Sequence, residues 1–380
     1  MERMDLVAQF ITRTSWGQLP EAVRRKARMA LLDVLGCILV GTRAPVSRIT
    51  ARFAAEMWPG AEASILGQGL RATVCGAAFA NGYAANALDL DDCAIYTRGH
   101  PGAQIVPTAL ALAEATGRSG AEMAAAIVVG YEIAHRAARI WHASHATFQA
   151  CASWGSVACA AVAANLLGLD LEQTKQALGI AEYYAPNVPM MWDVDHPSMA
   201  KHGIGWGAMT GIMAAQLAQR GFTGVPSLLG LPSYADWVND LGSHFVMENG
   251  VVWKRYACCA WTHAAIAAAK RLMQAPGFHP DDIALLRIEG FHEAIRLGAR
   301  VPQTTEEAQF NMAWPVAAML AHGEVGPDQM LDAGLQDDRV QRLVKKTELV
   351  ESATLNELYA LAVKGDPRGR YCLLYTSDAA

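Results

Sequence analysis

The sequence is poor in residues that favour β-strands and poor in charge. Aromatic residues make up 8% of its 380 positions and charged residues 18%, whereas 52% are hydrophobic, many of them alanine. Alanine is the strongest helix former and lets helices pack closely. A chain of this length and apolar content can bury a large core, so the composition excludes a disordered protein and favours a mostly α-helical one.

Other absences exclude further classes of protein. The formal net charge is −5 and no basic stripe is visible, so we expect no nucleic-acid partner. The N-terminus has no secretion pattern and the apolar stretches are interrupted by polar residues, so we expect no membrane span and a cytoplasmic location. The eight cysteines form no Cys-x-x-Cys pair, which predicts reduced thiols.

Helical periodicity and helix-breaking residues recur along most of the chain. The predicted helices cover residues 22–40, 107–117, 119–141, 155–167, 171–183, 207–219 and 261–273. A strand is predicted at 283–291, helical stretches at 305–322 and 337–343, and strands again after residue 345. This order predicts a large all-helical domain, residues 1–262, and a smaller α+β lid domain, residues 263–370. Residues 371–380 continue no pattern and are predicted to be an artefactual tail.

Three acidic residues follow an apolar helical stretch. Asp89, Asp91 and Asp92 lie within four positions, so their burial would need a cation, a ligand or raised pKa values. The alternative is a solvated helix end. His100 follows in a loop, where an imidazole that titrates near neutral pH is suited to act as a general acid or base.

Two further segments combine cations with histidine or glycine. The glycines of Lys201–Gly207 allow a backbone to approach a ligand closely ahead of a helix N-terminus. Lys254 and Arg255 precede His263 at the entry to a predicted helix. The alternatives are an exposed lysine in a flexible loop and ordinary surface cations. Taken together, these residues could hold a small di- or tricarboxylate and move protons.

A magnesium–diphosphate site is another possibility for an acidic cluster in a helical protein. Its second half would be formed by Asn239, Asp240, Ser243 and Glu248. Glu248 lies five residues beyond Ser243 and is therefore rotated away from a common helix face. The helically spaced histidines also lack an accompanying carboxylate in a metal pattern: His135, His142 and His145. We therefore predict no metal site.

Several ordered motifs carry a family resemblance. They are residues 80–113 (ANGYAANALDLDDCAIYTRGHPGAQIVPTALALA), 30–37, 199–207, 254–259 and 308–312. The chain resembles the MmgE/PrpD family, which includes 2-methylcitrate dehydratases and cis-aconitate decarboxylases, over about residues 5 to 370. The resemblance implies a large helical domain, a smaller lid, a cleft between them, a homodimer and no cofactor. It also implies C-terminal helices that this chain lacks, so we expect the chain to be less stable than a complete homologue.

The resemblance assigns the catalytic residues by position as Asp89, His100, Lys201 and His263. His100 and His263 would transfer protons, Lys201 would hold a carboxylate or a proton, and Asp89 would orient the site. The residues predicted to bind substrate are Cys93, Gln149, Lys254, Arg255 and Trp314. The best-known members have Thr, His and Tyr where this chain has Cys93, Gln149 and Trp314.

The predicted function is a cofactor-independent lyase, of the dehydratase or decarboxylase type. It would act by acid–base proton abstraction on a small di- or tricarboxylate. Two alternatives stay open: an epimerase or isomerase of an amino-dicarboxylate at the same site, and a helical protein that binds a carboxylate without catalysis.

Overall fold

The computed structural model describes residues 3–94, 96–363, 366, 368 and 369, and the predicted tail at 371–380 lies outside this range. The chain forms two compact units. The first, here called the helical unit, comprises the chain up to Ala87, Asp91–Met190 and Lys201–Val251. The second, the mixed unit, comprises Leu88–Leu90, Met191–Ala200 and the chain from Val252 onward. The domain limits predicted from the sequence stay predictions.

Helices dominate the described chain, which confirms the predicted mostly α fold with small sheets. The α-helices are α1 Arg3–Arg13, α2 Glu21–Gly41, α3 Pro45–Met57, α4 Val74–Asn86, α5 Gly102–Thr116, α6 Gly120–Ser144, α7 Cys151–Leu167, α8 Leu171–Tyr183, α9 Met190–Asp195, α10 Ile204–Gln219, α11 Ala235–Val238, α12 Met247–Gly250, α13 His263–Leu272, α14 His292–Ile295, α15 Thr305–Gln309, α16 Ala313–His322, α17 Pro327–Met330, α18 Asp338–Lys345 and α19 Ala353–Val363. The short 3₁₀ helices are Trp16–Gln18, Lys201–Gly203, Leu228–Gly230, Pro232–Tyr234, Ala260–Thr262, Pro280–Asp282 and Gly334–Gln336. The strands are β1 Ala63–Ile65, β2 Leu70–Ala72, β3 Cys93–Ala94, β4 Val251–Val252, β5 Leu286–Gly290 and β6 Thr347–Glu351.

Helix α7 forms the core of the helical unit. It contacts α5, α6, α8 and α10, and nearly all of its residues are buried. Its side chains are mostly small, so α10 approaches closely: a Cβ placed on Gly211 would lie 2.5 Å from the Cβ of Cys159. Such close packing removes apolar surface from water around the whole helix. The close helix packing expected from the alanine content is therefore observed.

Local sequence signals locate several helix ends correctly. Helix α8 has the predicted limits, residues 171–183. A capping box formed by Ser119 and Glu122 begins α6 near the predicted residue 119, and Gly117 ends α5 in a left-handed conformation. The predicted start of α5 at Pro107 is wrong, because the helix begins at Gly102 and Pro107 lies inside it. A proline is most favourable in the first turn of a helix. Here the start of α5 is instead set by a side chain outside the helix, that of Asp92, which accepts a hydrogen bond from the Gly102 N–H.

The mixed unit contains the predicted strands as one parallel pair. Strand β5 pairs with β6 over five residues, from Leu286 with Thr347 to Gly290 with Glu351. The predicted helical stretch at 305–322 is divided into α15 and α16. The side-chain oxygen of Asn311 accepts hydrogen bonds from the backbone N–H groups of Ala313 and Trp314, and so begins a new helix.

The described helices were compared with the length and apolar composition that a membrane span requires. No single helix is long and apolar enough to cross a membrane, although α2 and α3, bent by 94° relative to each other, meet the length and composition criteria as a pair.

Candidate active site

His100 lies in the helical unit with its ring held on one side by its own loop. Its Nδ1 atom is 3.0 Å from the Asp92 carbonyl oxygen and 3.3 Å from Asp91 Oδ2. A carbonyl oxygen can only accept, so the hydrogen-bond network assigns the proton of neutral His100 to Nδ1 and leaves Nε2 as a proton acceptor. The backbone N–H of His100 donates to the buried Cys151 Sγ at 3.2 Å. This arrangement gives His100 a defined tautomer.

Asp91 is the carboxylate that faces His100. It is fully buried, and Asn86 Nδ2 donates to its other oxygen, Oδ1, at 2.8 Å. A carboxylate beside Nδ1 stabilises the imidazolium that forms when Nε2 takes a proton. The relation of Asn86, Asp91 and His100 is therefore that of an oriented carboxylate behind an acid–base histidine. The family resemblance assigned an orienting role to Asp89, which stays a prediction, and the contacts add Asp91 as a further candidate for that role.

The acidic cluster is buried, so the alternative of a solvated helix end is wrong. Its three carboxyl groups avoid mutual repulsion in different ways. Asp91 faces His100, and Asp89 forms an ion pair with Lys254. Burial, and next the neighbouring Asp33 and Asp91 carboxylates, raise the pKa of Asp92 to about 8. The prediction was that burial would need a cation, a ligand or raised pKa values, and the cluster has a cation at Asp89 and a raised pKa at Asp92.

Lys201 and His202 adopt backbone conformations that side chains other than glycine rarely occupy. Their φ angles are 44° and 57°, and both residues are buried. Each such residue costs roughly 1–2 kcal/mol, and strain of this kind concentrates at functional sites. The strained turn stacks the His202 ring on His100, with centroids 5.3 Å apart and planes at 20°. The alternative of an exposed lysine in a flexible loop is therefore wrong.

His202 was not among the residues selected from the sequence. It belongs to the quoted Lys201–Gly207 motif, but nothing local indicates that its ring stacks on His100. Its contact comes from the left-handed turn, which brings two distant segments of the helical unit together. We add His202 to the candidate residues of this unit, which we call the His100 group: Asp91, His100, Lys201 and His202.

Cys93 and Gln149 occupy different surroundings within the helical unit. Cys93 Sγ is 3.8 Å from His100 Nδ1, so Cys93 borders the His100 group. Gln149 instead holds the backbone before α7. Its Oε1 accepts from the Val188 N–H at 2.8 Å and the Ser153 hydroxyl at 3.1 Å, and its Nε2 donates to Thr147. A substrate-binding role for either residue stays a prediction.

The mixed unit contains a buried ion pair. Lys254 Nζ is 3.0 Å from Asp89 Oδ2 and also donates to the Asp89 carbonyl oxygen, and both side chains are buried. Asp89 has a φ of 49°, which Asp and Asn tolerate better than other side chains because their short polar groups bond locally. We call Asp89, Lys254 and His263 the Lys254 group.

His263 begins helix α13 and is fully buried beside the ring of Tyr256. Burial, and next the positive charge of Lys254, lower the pKa of His263 to about 3. The ring is therefore neutral at physiological pH. Its Nε2 lies 3.3 Å from the Cys258 carbonyl oxygen, which assigns the proton to Nε2. The lone pair is then on Nδ1, which has no hydrogen-bond partner among the described residues.

Arg255 and Trp314 make other contacts. The Arg255 side chain is exposed, with its guanidinium 6.0 Å from the centre of the Tyr256 ring. Trp314 is fully buried, and its Nε1 donates to the Gln329 carbonyl oxygen at 3.0 Å. Their predicted roles in substrate binding stay predictions.

Asp240, part of the alternative magnesium site, has a structural partner. Arg136 Nη2 is 2.8 Å from Asp240 Oδ1, while Arg136 Nη1 is 2.6 Å from the buried Glu132 carboxylate. Glu132 also accepts from the Met247 N–H at 2.8 Å. These contacts link α6 to the segment before α12, so the acidic residue at 240 is explained by an ion-pair network.

Known protein families match most of the chain. Residues 5–233 match the MmgE/PrpD N-terminal domain and residues 256–373 match the MmgE/PrpD C-terminal domain. The chain belongs to the MmgE/PrpD family, as its motifs predicted. Together with the relatives named below, these matches support an enzyme of the lyase class and leave its substrate open.

Its relatives include named decarboxylases. A cis-aconitate decarboxylase-like protein of Aspergillus oryzae is 26% identical, with 92% of this chain and 80% of the relative covered. Human cis-aconitate decarboxylase is 27% identical, with 88% and 73% covered. The cis-aconitate decarboxylase of Aspergillus terreus is 25% identical, with 70% and 59% covered.

Proposed function

We propose that the chain is a cofactor-independent carboxy-lyase that decarboxylates a small tricarboxylate of the cis-aconitate type by acid–base catalysis. The observation that carries the proposal is the pairing of Asp91 with His100, which suits His100 to hold and release a proton at Nε2. The names of the relatives support a tricarboxylate that loses carbon dioxide.

The proposed step balances with a single proton. The bond between the substrate carbon and the departing carboxylate breaks, carbon dioxide leaves, and the electron pair stays on the carbon framework. The imidazolium of His100 then donates its Nε2 proton to the carbanion and becomes neutral. Water returns the proton between turnovers. The Asp91 carboxylate stabilises the imidazolium before transfer, which is the role that an acid–base histidine requires.

Lys201 is proposed to hold a substrate carboxylate. It is buried in the same turn as His202, whose ring stacks on that of His100. Charge-assisted hydrogen bonds to carboxylates are strong where water is excluded. A carboxylate held beside His100 would bring the reacting carbon toward its proton donor, which contributes through orientation.

An epimerase or isomerase is the second candidate function. Such an enzyme needs an unprotonated base, and neutral His100, with its proton on Nδ1, carries a lone pair on Nε2. In this case the substrate would exchange a proton with solvent without losing carbon dioxide.

Replacing Lys201 by methionine tests its proposed role. Lys201→Met should lower kcat/KM for cis-aconitate by roughly 10- to 100-fold, because a charged hydrogen bond is worth about 1.5–3 kcal/mol. The measurement is carbon dioxide release by the purified chain. Lys175→Met is the control, since Lys175 forms a surface ion pair with Asp5 and should leave turnover unchanged. Equal activity of the two variants would remove Lys201 from the mechanism.

A further inference from the structure

Asp92 connects three helices of the helical unit, two through its carboxyl group and one through its backbone N–H. Its Oδ1 accepts from the Gly102 N–H at the start of α5 at 3.0 Å, and its Oδ2 lies 2.9 Å from the Tyr131 hydroxyl of α6. Its backbone N–H donates to Asp33 Oδ2 of α2 at 3.2 Å. Asp92 and Tyr131 are both fully buried. None of these contacts belongs to the mechanism proposed above.

The space around this carboxyl is closed. A Cβ placed on Gly102 would lie 2.5 Å from the Tyr131 hydroxyl oxygen and 2.6 Å from Asp92 Oδ1. Both distances are far below van der Waals contact, so a larger residue at position 102 would displace one of these polar groups. The absence of a side chain at Gly102 therefore lets the carboxyl and the phenol meet in the interior.

The surroundings of the Asp92 carboxyl group favour its protonated form. The groups that face it are Asp33 from α2, Tyr131 from α6, and Asp91 and His100 from its own loop. With a pKa raised to about 8, Asp92 is mostly protonated at neutral pH. When Asp92 is ionised, Oδ2 accepts the Tyr131 O–H. When Asp92 is protonated and Oδ1 accepts the Gly102 N–H, Oδ2 carries the proton and donates it to the Tyr131 oxygen instead. The pKa of Tyr131 is raised well above 10 by burial and by Asp92, so the phenol also stays neutral.

The backbone of Asp92 connects the anchored side chain to His100. The carbonyl oxygen of Asp92 is the acceptor 3.0 Å from His100 Nδ1. Fixing the Asp92 side chain on α5 and α6 therefore fixes the carbonyl that selects the His100 tautomer. Second contacts of this kind commonly orient the residue that reacts.

We propose that Asp92 and Tyr131 are positioning residues that hold His100 as its Nδ1–H tautomer, in which Nε2 carries the lone pair. The catalytic meaning of this inference rests on the proposed function, whereas the tautomer is a property of the protein alone. The two can therefore fail separately.

The tautomer is measured by ¹⁵N NMR of the histidine-labelled full chain, with His100 assigned from a His100→Gln spectrum. Wild type should show Nδ1 as the protonated nitrogen of neutral His100. Tyr131→Phe should convert this into a mixture of tautomers and lower kcat about tenfold, with KM little changed. Asp92→Asn should preserve both the tautomer and kcat within a few-fold, because its amide supplies an acceptor to Gly102 and a donor to Tyr131. Tyr184→Phe, at an exposed tyrosine, is the control for loss of a hydroxyl.

An unchanged Nδ1–H tautomer in Tyr131→Phe would overturn the positioning role. If the tautomer shifts as expected but wild type turns over no carboxylate, the inference stands and the proposed function fails. If Tyr131→Phe does not fold, Asp92→Ala, which removes the anchor without touching α6, provides the same comparison, and a retained tautomer there would also overturn the inference.

The proton on Asp92 has a separate signature in stability. The folded-state pKa of about 8 lies above the unfolded value of 3.8, so the folded state binds one more proton between these limits and loses stability as pH rises. Asp92→Asn lacks this titration. The Tm of Asp92→Asn minus that of wild type should therefore increase from pH 4 to pH 8 and level off above it. A difference that is constant with pH would show that Asp92 is ionised and would overturn the proton assignment.

Discussion

His100→Ala should lower kcat for decarboxylation by about 10²- to 10⁴-fold, the usual contribution of a positioned acid–base group. The reason is that His100 has a carboxylate at Nδ1, a defined tautomer and a stacked neighbour, which together suit Nε2 to donate a proton. The measurement is the single-turnover rate of carbon dioxide release, which separates chemistry from binding. Asp91→Asn should also lower the rate, because the amide cannot stabilise the imidazolium. The loss should be smaller than for His100→Ala, because the proton donor remains.

The control for this experiment is His145→Ala. His145 is exposed and stacks on Trp141 with ring centroids 4.6 Å apart, away from the acidic cluster in sequence. Its removal deletes the same chemical group and should leave the rate unchanged. A His100→Ala enzyme that retains a rate within tenfold of wild type would exclude His100 as the proton donor, provided that its circular dichroism spectrum is unaltered.

Breaking the buried ion pair of the Lys254 group should be the largest stability effect. Lys254→Met leaves the Asp89 carboxylate buried without its cation, which costs roughly 3–5 kcal/mol in the free energy of unfolding. Asp89→Asn instead leaves the Lys254 cation buried without the Asp89 carboxylate and should also lose stability. The asparagine itself tolerates the φ of 49° at this position. The Asp89→Asn, Lys254→Met double variant should lose less stability than the sum of the single variants, because neither charge is then left alone.

Urea denaturation of the three variants measures these costs. Arg296→Ala is the matched control in the mixed unit, because Arg296 forms an ion pair with Asp195 in which both side chains are about one third exposed. Pairs of that kind contribute about 1 kcal/mol or less. Additive single costs, or losses no larger than that of Arg296→Ala, would contradict the structural role of the pair. Lys254→Met should also raise the pKa of His263, because it removes the positive charge that lowers it.

The parts of the fold set by neighbouring residues were predictable. Ser119 and Glu122 start α6 through a capping box formed within four residues, and Asp170 and Gln173 start α8 in the same way. The start of α5 was not predictable, because it depends on Asp92, whose carboxyl belongs to the preceding loop and is positioned by Tyr131 on another helix. Propensity alone favoured Pro107 as the first residue.

The sequence was sufficient to select the segments that form the site. It was not sufficient to predict which side chains of these segments contact each other. The acidic cluster, the Lys201 turn and the Lys254 segment were all selected from the sequence. Which carboxylate faces which cation depends on the path of the backbone: Asp89 pairs with Lys254, 165 positions away, and Asp91 faces His100. Two left-handed residues in succession, at 201 and 202, have no sequence signal as strong as glycine, so the stacking of His202 was missed.

The most direct test of the central claim is ¹H and ¹³C NMR of cis-aconitate incubated with the purified chain in D₂O. A lyase that works through His100 should release carbon dioxide and place one deuteron on the product carbon per turnover, and both signals should disappear in His100→Ala. Deuterium incorporation without loss of carbon dioxide or water would instead indicate an epimerase or isomerase. Binding with neither exchange nor carbon dioxide release, for cis-aconitate and for related di- and tricarboxylates, would contradict the account.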